Sequence, residues 1–259
     1  MALTGTVNYL IHKPQRQSFE IDAGGITGNI VSPEMAATEV ALSDLRSGRA
    51  QVSFATDGVA FKVQPTAVDR FENDDSWREV YDAELVALLR QELDAREVIV
   101  FDHTLRVDDP EASRCPARNV HSDYSRQGAE ARLVSLLGKD RASAWAEGHY
   151  AFINVWRPVA APINSAPLGF VRPSSVAAED WILLDLIYPG RVGSIMGLAA
   201  NPAHDWVYQS RMTPEEIVYF NIYDNRDRPS VAHSAIDLVE NPSVSAVRKS
   251  LESRTLIRF

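Results

Sequence analysis

A single cysteine, Cys115, occurs in 259 residues. No intramolecular disulfide can form, and a reducing cytoplasm is the expected compartment. Beside Pro116, that thiol reads as an ordinary loop residue rather than a nucleophile. Basic residues are in the minority: 26 Lys and Arg against 35 Asp and Glu give a formal charge of −9. That balance argues against a nucleic-acid or anionic-membrane surface. No apolar run approaches membrane-spanning length, and the N-terminal segment lacks a basic stretch followed by an apolar one, so no secretory leader is expected. Repeats, low-complexity segments and linkers rich in Pro, Gly or Ser are missing too. One domain spanning residues 1–259 is therefore expected. Its 45% hydrophobic content suffices for a substantial core, and a small molecule is the natural partner.

The patterning is mainly β with flanking helices. Residues 82–94 carry Leu and Val at helical spacing behind an acidic first turn, and the β-rich run 97–101 follows. Further helices are predicted over 128–137 and 142–147, where they could cover one side of a barrel mouth. An N-terminal α/β flank precedes these elements. From residue 150 strands dominate, over 150–156, 181–188, 206–210, 217–223, 231–236 and 255–259. Short strands separated by Pro and Asn/Asp turns favour a double or closed sheet over a doubly wound fold. Pro158, Pro162, Pro167 and Pro173 punctuate a long connection that reads as an active-site lid.

Within Ala117–Tyr124, His121 and Asp123 stand two apart, so on a strand both project to one face while Ser122 points to the other. An imidazole and a carboxylate on one face are two corners of a metal site. A distal histidine would complete a 2-His-1-carboxylate triad, which holds Fe(II) and leaves positions open for co-substrate and dioxygen. His233 is the best candidate. Downstream, Arg248 and Ser250 have the same alternating spacing, and a guanidinium fork with a neighbouring hydroxyl suits the distal carboxylate of 2-oxoglutarate. His103, on a strand, reads as a buried, hydrogen-bonded or substrate-facing residue; His12, His149 and His204 read as solvated or capping residues.

The segments Val7–Leu10, Phe101–Arg106, Val120–Tyr124, Asn154–Pro158, Ala166–Leu168, Tyr219–Asp224 with His233-Ser234, and Arg248–Arg254, in this order and spacing, resemble the CmcJ/AsaB-like family. That family includes the cephamycin 7α-methoxylase component and the fungal gibberellin desaturase. Two departures, Asn225 after Asp224 and Ala235-Ile236 after the distal His-Ser, are expected to lie near the site and so bear on substrate identity more than on metal binding.

The resemblance implies an Fe(II)/2-oxoglutarate-dependent dioxygenase on a double-stranded β-helix, a jelly-roll. It would hydroxylate or desaturate a secondary metabolite, with His121, Asp123 and His233 on the metal and 2-oxoglutarate and dioxygen as co-substrates. It further implies that Asn154 or Arg157 contacts co-substrate or substrate, with Tyr124 and Arg106 as weaker candidates of that kind. Arg254 competes with Arg248 for the co-substrate carboxylate, and spacing from His233 favours Arg248. A homodimer or a partner tailoring enzyme is compatible with the resemblance. Two other classes stay open: a non-catalytic accessory subunit, against which the complete ligand set weighs, and a zinc hydrolase, which needs no carboxylate clamp.

Overall fold

In a computed structural model that describes residues 3–26, 29–72, 75–240, 242–243 and 247–259, two sheets face each other. The strands are β1 (Leu3–Leu10), β2 (Gln17–Ile21), β3 (Ile30–Val31), β4 (Met35–Asp44), β5 (Val59–Val63), β6 (Glu97–Val107), β7 (His121–Ser122) and β8 (Tyr150–Pro158). They continue with β9 (Leu168–Val171), β10 (Trp181–Tyr188), β11 (Arg191–Leu198), β12 (Trp206–Tyr208), β13 (Glu216–Asp224), β14 (His233–Ala235) and β15 (Lys249–Arg258). The helices are α1 (Phe54–Asp57), α2 (Arg78–Leu93), α3 (Arg126–Leu137) and α4 (Lys139–Glu147).

The larger sheet runs β1-β4-β12-β9-β14-β7-β11-β10-β2-β3 and the smaller β5-β13-β8-β15-β6. This is the expected jelly-roll, with one correction. The N-terminal segment is no flank: β1 pairs antiparallel with β4 over the whole length of β1, and the two form one edge of the larger sheet.

Alternation along β8 and β15 sorts residues between two cores. Phe152, Trp156, Phe220 and Leu256 point inward and pack with Phe170 and Val207 of the opposing sheet. Ile153, Val155, Leu251 and Ile257 point outward. Left bare, that outer face would expose a row of large apolar side chains. Helix α2 covers it with Tyr81, Leu85, Leu88 and Leu89, a stripe at helical spacing. Each fully buried leucine there contributes roughly 1.5–3 kcal/mol.

Helix α3 is set against the larger sheet by two local features. Ser125 caps it, accepting a hydrogen bond from Gly128 N at 3.0 Å. A Cβ on Gly128 would lie 2.7 Å from the Ser194 carbonyl of β11, so only glycine permits this close approach.

The Pro-punctuated connection is not a lid. Residues of β8 and β9 are buried throughout, and Val159, Ile163 and Ala166 between them are buried as well. Apolar side chains at those positions gain more by packing inside than by covering a cavity. Among the described residues no helix is long and apolar enough to cross a membrane.

Candidate metal centre

The short strand β7 lies between β14 and β11, and its register places His121 directly opposite His233. Ser122 turns the other way and donates to the Ile222 carbonyl at 3.3 Å. His121, Asp123 and His233 thus converge, each offering one ligand atom, with those atoms all within 4.8 Å of one another. Asp123 Oδ1 is 3.5 Å from His121 Nε2 and 3.9 Å from His233 Nε2.

Both imidazoles are oriented by backbone. His121 Nδ1 is 2.8 Å from the Asn119 carbonyl and His233 Nδ1 is 3.1 Å from the Val231 carbonyl. A carbonyl only accepts, so each Nδ1 carries the proton and each Nε2 presents a lone pair toward Asp123. His233 Nε2 is buried without any hydrogen-bond partner. An orphaned acceptor of this kind, beside a second imidazole and a carboxylate, fits a divalent cation. Burial, with the nearby His121, pushes the His233 imidazole down to about 4, which keeps it neutral. Burial alone would raise the Asp123 carboxyl, but the Arg254 guanidinium and the two histidines hold it well below the usual carboxylate range. A neutral His233 imidazole and an ionised Asp123 are the protonation states ligation requires.

A cavity of about 1270 Å³ opens on this cluster. Its walls include His121, Asp123 and Tyr124, with Phe101 of β6, Ile195 of β11 and Arg132 of α3. The predicted helix at the barrel mouth is therefore a cavity wall, and Arg132 stacks over Phe101 with 4.8 Å between guanidinium carbon and ring centre. His233 lies beneath that wall, 2% exposed.

Arg248 lies just before β15 and is buried. Its guanidinium donates to the Ala166 carbonyl and, at 3.3 Å, to Ser250 Oγ, and stacks 5.3 Å from the Trp156 ring centre. Its Nε has no partner, and no described carboxylate comes within ion-pair distance of it. Burial, reinforced by the positive charge of Arg106, pushes it down to about 9. Arg254 is its opposite: Asp102, Asp123 and Glu252 all engage its guanidinium, and they raise it despite burial.

Asn154 points inward and donates to Asp123 Oδ2 at 3.1 Å. Arg157, one of the residues expected at the site, is elsewhere. Alternation turns it to the outer face, where it donates to the Gln64 and Pro214 carbonyls and lies over the Tyr81 ring. The two sequence departures, expected near the site, do not line the cavity: Asn225, Ala235 and Ile236 are all absent from its walls. Asn225 ties a turn to Tyr150 N and the Gly148 carbonyl, and Ile236 packs in the core with Val7 and Leu42.

The remaining histidines are structural. His204 is buried rather than solvated, between Asp180 at 3.2 Å and Tyr9 at 2.8 Å. His149 pairs with Asp224, and His12 contacts the Glu179 carbonyl. His103 bridges Ser253 at 2.8 Å and Asp82 at 2.7 Å. That is the connectivity of a nucleophile, base and orienting acid. Ser253 is fully buried under α2, however, so no substrate carbonyl can reach it. Glu252 and Thr104 escaped the sequence reading; the alternation that places Ser250 inward also places Glu252 inward, and was the available signal.

The fold is a double-stranded β-helix with a His-x-Asp pair and a distal histidine gathered at its mouth, the residue types and number of a 2-His-1-carboxylate site. The chain belongs to the YDMC family, described as an oxidoreductase/YMDC permease-like domain, whose model matches residues 7–258. Among curated proteins it is 28% identical to the hydroxylase/desaturase efuI of Hormonema carpetanum, over 92% of this chain and 91% of that one. It is 24% identical to the oxidoreductase AN1597 of Emericella nidulans, over 83% and 82%. Among solved structures, the iron and alpha-ketoglutarate-dependent endoperoxidase NvfI superposes with a TM-score of 0.85 at 22% identity, covering 99% of this chain and 97% of that one. That likeness establishes the fold.

Proposed function

We propose that this chain is a single-domain, cytoplasmic Fe(II)/2-oxoglutarate-dependent oxygenase that hydroxylates or desaturates a small organic secondary metabolite. The observation that carries the reading is Arg248, a buried guanidinium lacking any carboxylate partner, in the same sheet interior as the histidine and carboxylate cluster. A buried, uncompensated cation is costly unless an anion meets it, and its planar fork matches a carboxylate bidentately. The name of efuI, a hydroxylase/desaturase, and the cofactor named for NvfI agree with this assignment.

His121, Asp123 and His233 would hold the iron, and Arg248 with Ser250 would take the distal carboxylate of the co-substrate. Iron and 2-oxoglutarate, when bound, supply the dioxygen-dependent oxidation of an unactivated C–H bond, with succinate and carbon dioxide as co-products. The chain does the rest. The backbone carbonyls of Asn119 and Val231 fix both imidazole tautomers, and the inner core of Phe220 and Phe170 beside His233 excludes water. The cavity walls, with Tyr124, Phe101 and Arg132, orient the substrate over Asp123 and His121.

A zinc hydrolase would have no use for Arg248, and an inactive accessory subunit would have no reason to keep all three ligands. The test is succinate production from 2-oxoglutarate by purified protein supplied with Fe(II) or with Zn(II). Iron-dependent succinate is expected; metal-dependent ester or amide hydrolysis without it would support the hydrolase instead.

A further inference from the structure

Asp123 has two carboxylate oxygens with different surroundings. Oδ1 faces the Nε2 atoms of His121 and His233. Oδ2 accepts two hydrogen bonds from the other side, from Arg254 Nε at 3.0 Å and Asn154 Nδ2 at 3.1 Å. The amide orientation of Asn154 follows from the chemistry, since its oxygen turned toward Asp123 would set acceptor against acceptor. Arg254 is itself immobilised. Nη1 donates to Asp102 Oδ2 at 2.6 Å and to Thr104 Oγ1 at 3.0 Å, both on β6, and Nη2 donates to Glu252.

We infer that Arg254, seconded by Asn154, is a positioning residue that holds Asp123 to ligation through one oxygen and fastens this ligand to the cavity wall at Asp102 and Thr104. The inference rests on the metal reading above. To chelate a cation through both oxygens, Asp123 would have to give up two donors on Oδ2, one of them charged. Charge-assisted hydrogen bonds of this kind are about twice as strong as neutral ones. Keeping the carboxylate to one oxygen preserves an open coordination position that a second oxygen would fill. Only a guanidinium can do this here, because a planar fork reaches Asp123, Asp102 and Glu252 at once, whereas an ammonium is a point charge.

The experiment uses Co(II) as the probe, titrated into metal-free full-length protein and followed by its visible absorption, which reports coordination number and geometry. Wild type is expected to bind one Co(II). Arg254→Lys, which keeps the charge and loses the fork, is expected to weaken binding by about tenfold or more, in line with the effect of partners that orient a ligand. It should also change the band shape and intensity. Asn154→Ala, which leaves every ion pair in place, is expected to change the spectrum in the same direction by less, and it carries the test alone should Arg254→Lys not fold. Folded variants with wild-type spectra would overturn the positioning role whatever their affinity, since a merely structural residue would leave the coordination unchanged. Wild-type protein that takes up no Co(II) would overturn the metal reading itself, and the positioning role with it.

Discussion

His121 and His233 are directly opposed across β7 and β14, with ring centroids 4.5 Å apart. Burial, with the nearby His121, keeps the His233 ring neutral, and its Nε2 has no hydrogen-bond partner, which is the arrangement a cation held between the two rings and Asp123 would use. His121→Ala and Asp123→Ala should therefore abolish Co(II) binding and 2-oxoglutarate turnover while leaving the unfolding midpoint close to wild type, because both residues border the cavity. His233→Ala should lose metal and stability together, since its ring is buried against Phe220 and Phe170. Metal titration beside urea unfolding checks both halves; retained turnover in Asp123→Ala would refute the ligand assignment.

Arg248 and Arg254 should separate cleanly in kinetics. Arg248→Met keeps much of the buried volume and removes an unpaired charge, a change that is often neutral for stability. Losing a charge-assisted contact to the co-substrate carboxylate costs about 1.5–3 kcal/mol. The KM for 2-oxoglutarate should rise by about tenfold or more while the Co(II) spectrum is unchanged. Initial rates of succinate formation across a 2-oxoglutarate series measure this, and an unaltered KM would exclude Arg248 as the clamp.

Stability should fall on mild acidification. Burial lowers the folded-state values of His103 and His204 below the ordinary imidazole value, against the opposing pull of Asp82 and Asp180. As pH drops through about 6.5, the unfolded chain takes up protons before the folded one does. The contribution of these residues is therefore complete above that pH and is lost progressively below it. Thermal unfolding midpoints between pH 7.5 and 5 should decline. A flat or rising profile would show that these imidazoles already carry protons in the fold.

Gly197 pairs with His121 across β11 and β7. A Cβ there would sit 1.8 Å from Leu10 Cδ1 and 3.0 Å from Leu184 Cδ1, inside the cluster that joins β1 to β10. Gly197→Ala should destabilise the protein by about 1–3 kcal/mol, the usual penalty for overpacking, and should weaken metal binding through the displaced β7. Urea midpoints and Co(II) titration report the two effects. A midpoint equal to wild type would mean that Leu10 finds another rotamer at little cost.

Local order was legible in the chain alone. Periodicity placed α2, α3 and α4, and β10 over Trp181–Tyr188 matches the strand that formed. By strand alternation, the spacing of His121 and Asp123 predicts that both share one face; they do converge, although β7 ends at Ser122 and Asp123 lies in the bend after it. The same rule put Asn154 and Trp156 on the side of β8 opposite Val155 and Arg157. Alternation cannot say which side of a strand becomes the interior. That was decided when α2 covered one face of the smaller sheet and the larger sheet covered the other, which left Arg157 under the helix and Asn154 on the carboxylate of Asp123. Strands β2, β4 and β11 went unread: β4 pairs with β1 and β12 and β2 with β10, far along the chain, and β11, though in a tight hairpin with β10, carries Gly193 and Gly197 in place of a strong strand pattern. Spacing from His233 favoured Arg248 over Arg254, but the physical difference between the two was not legible. Both are arginines on one terminal segment, and only the folded arrangement of Asp102, Asp123 and Glu252 satisfies one guanidinium with carboxylates while leaving the other buried and unpaired. Sequence supplied the candidate residue types and their spacing; tertiary packing decided that Arg254 is matched by carboxylates within the protein and that Arg248 is not.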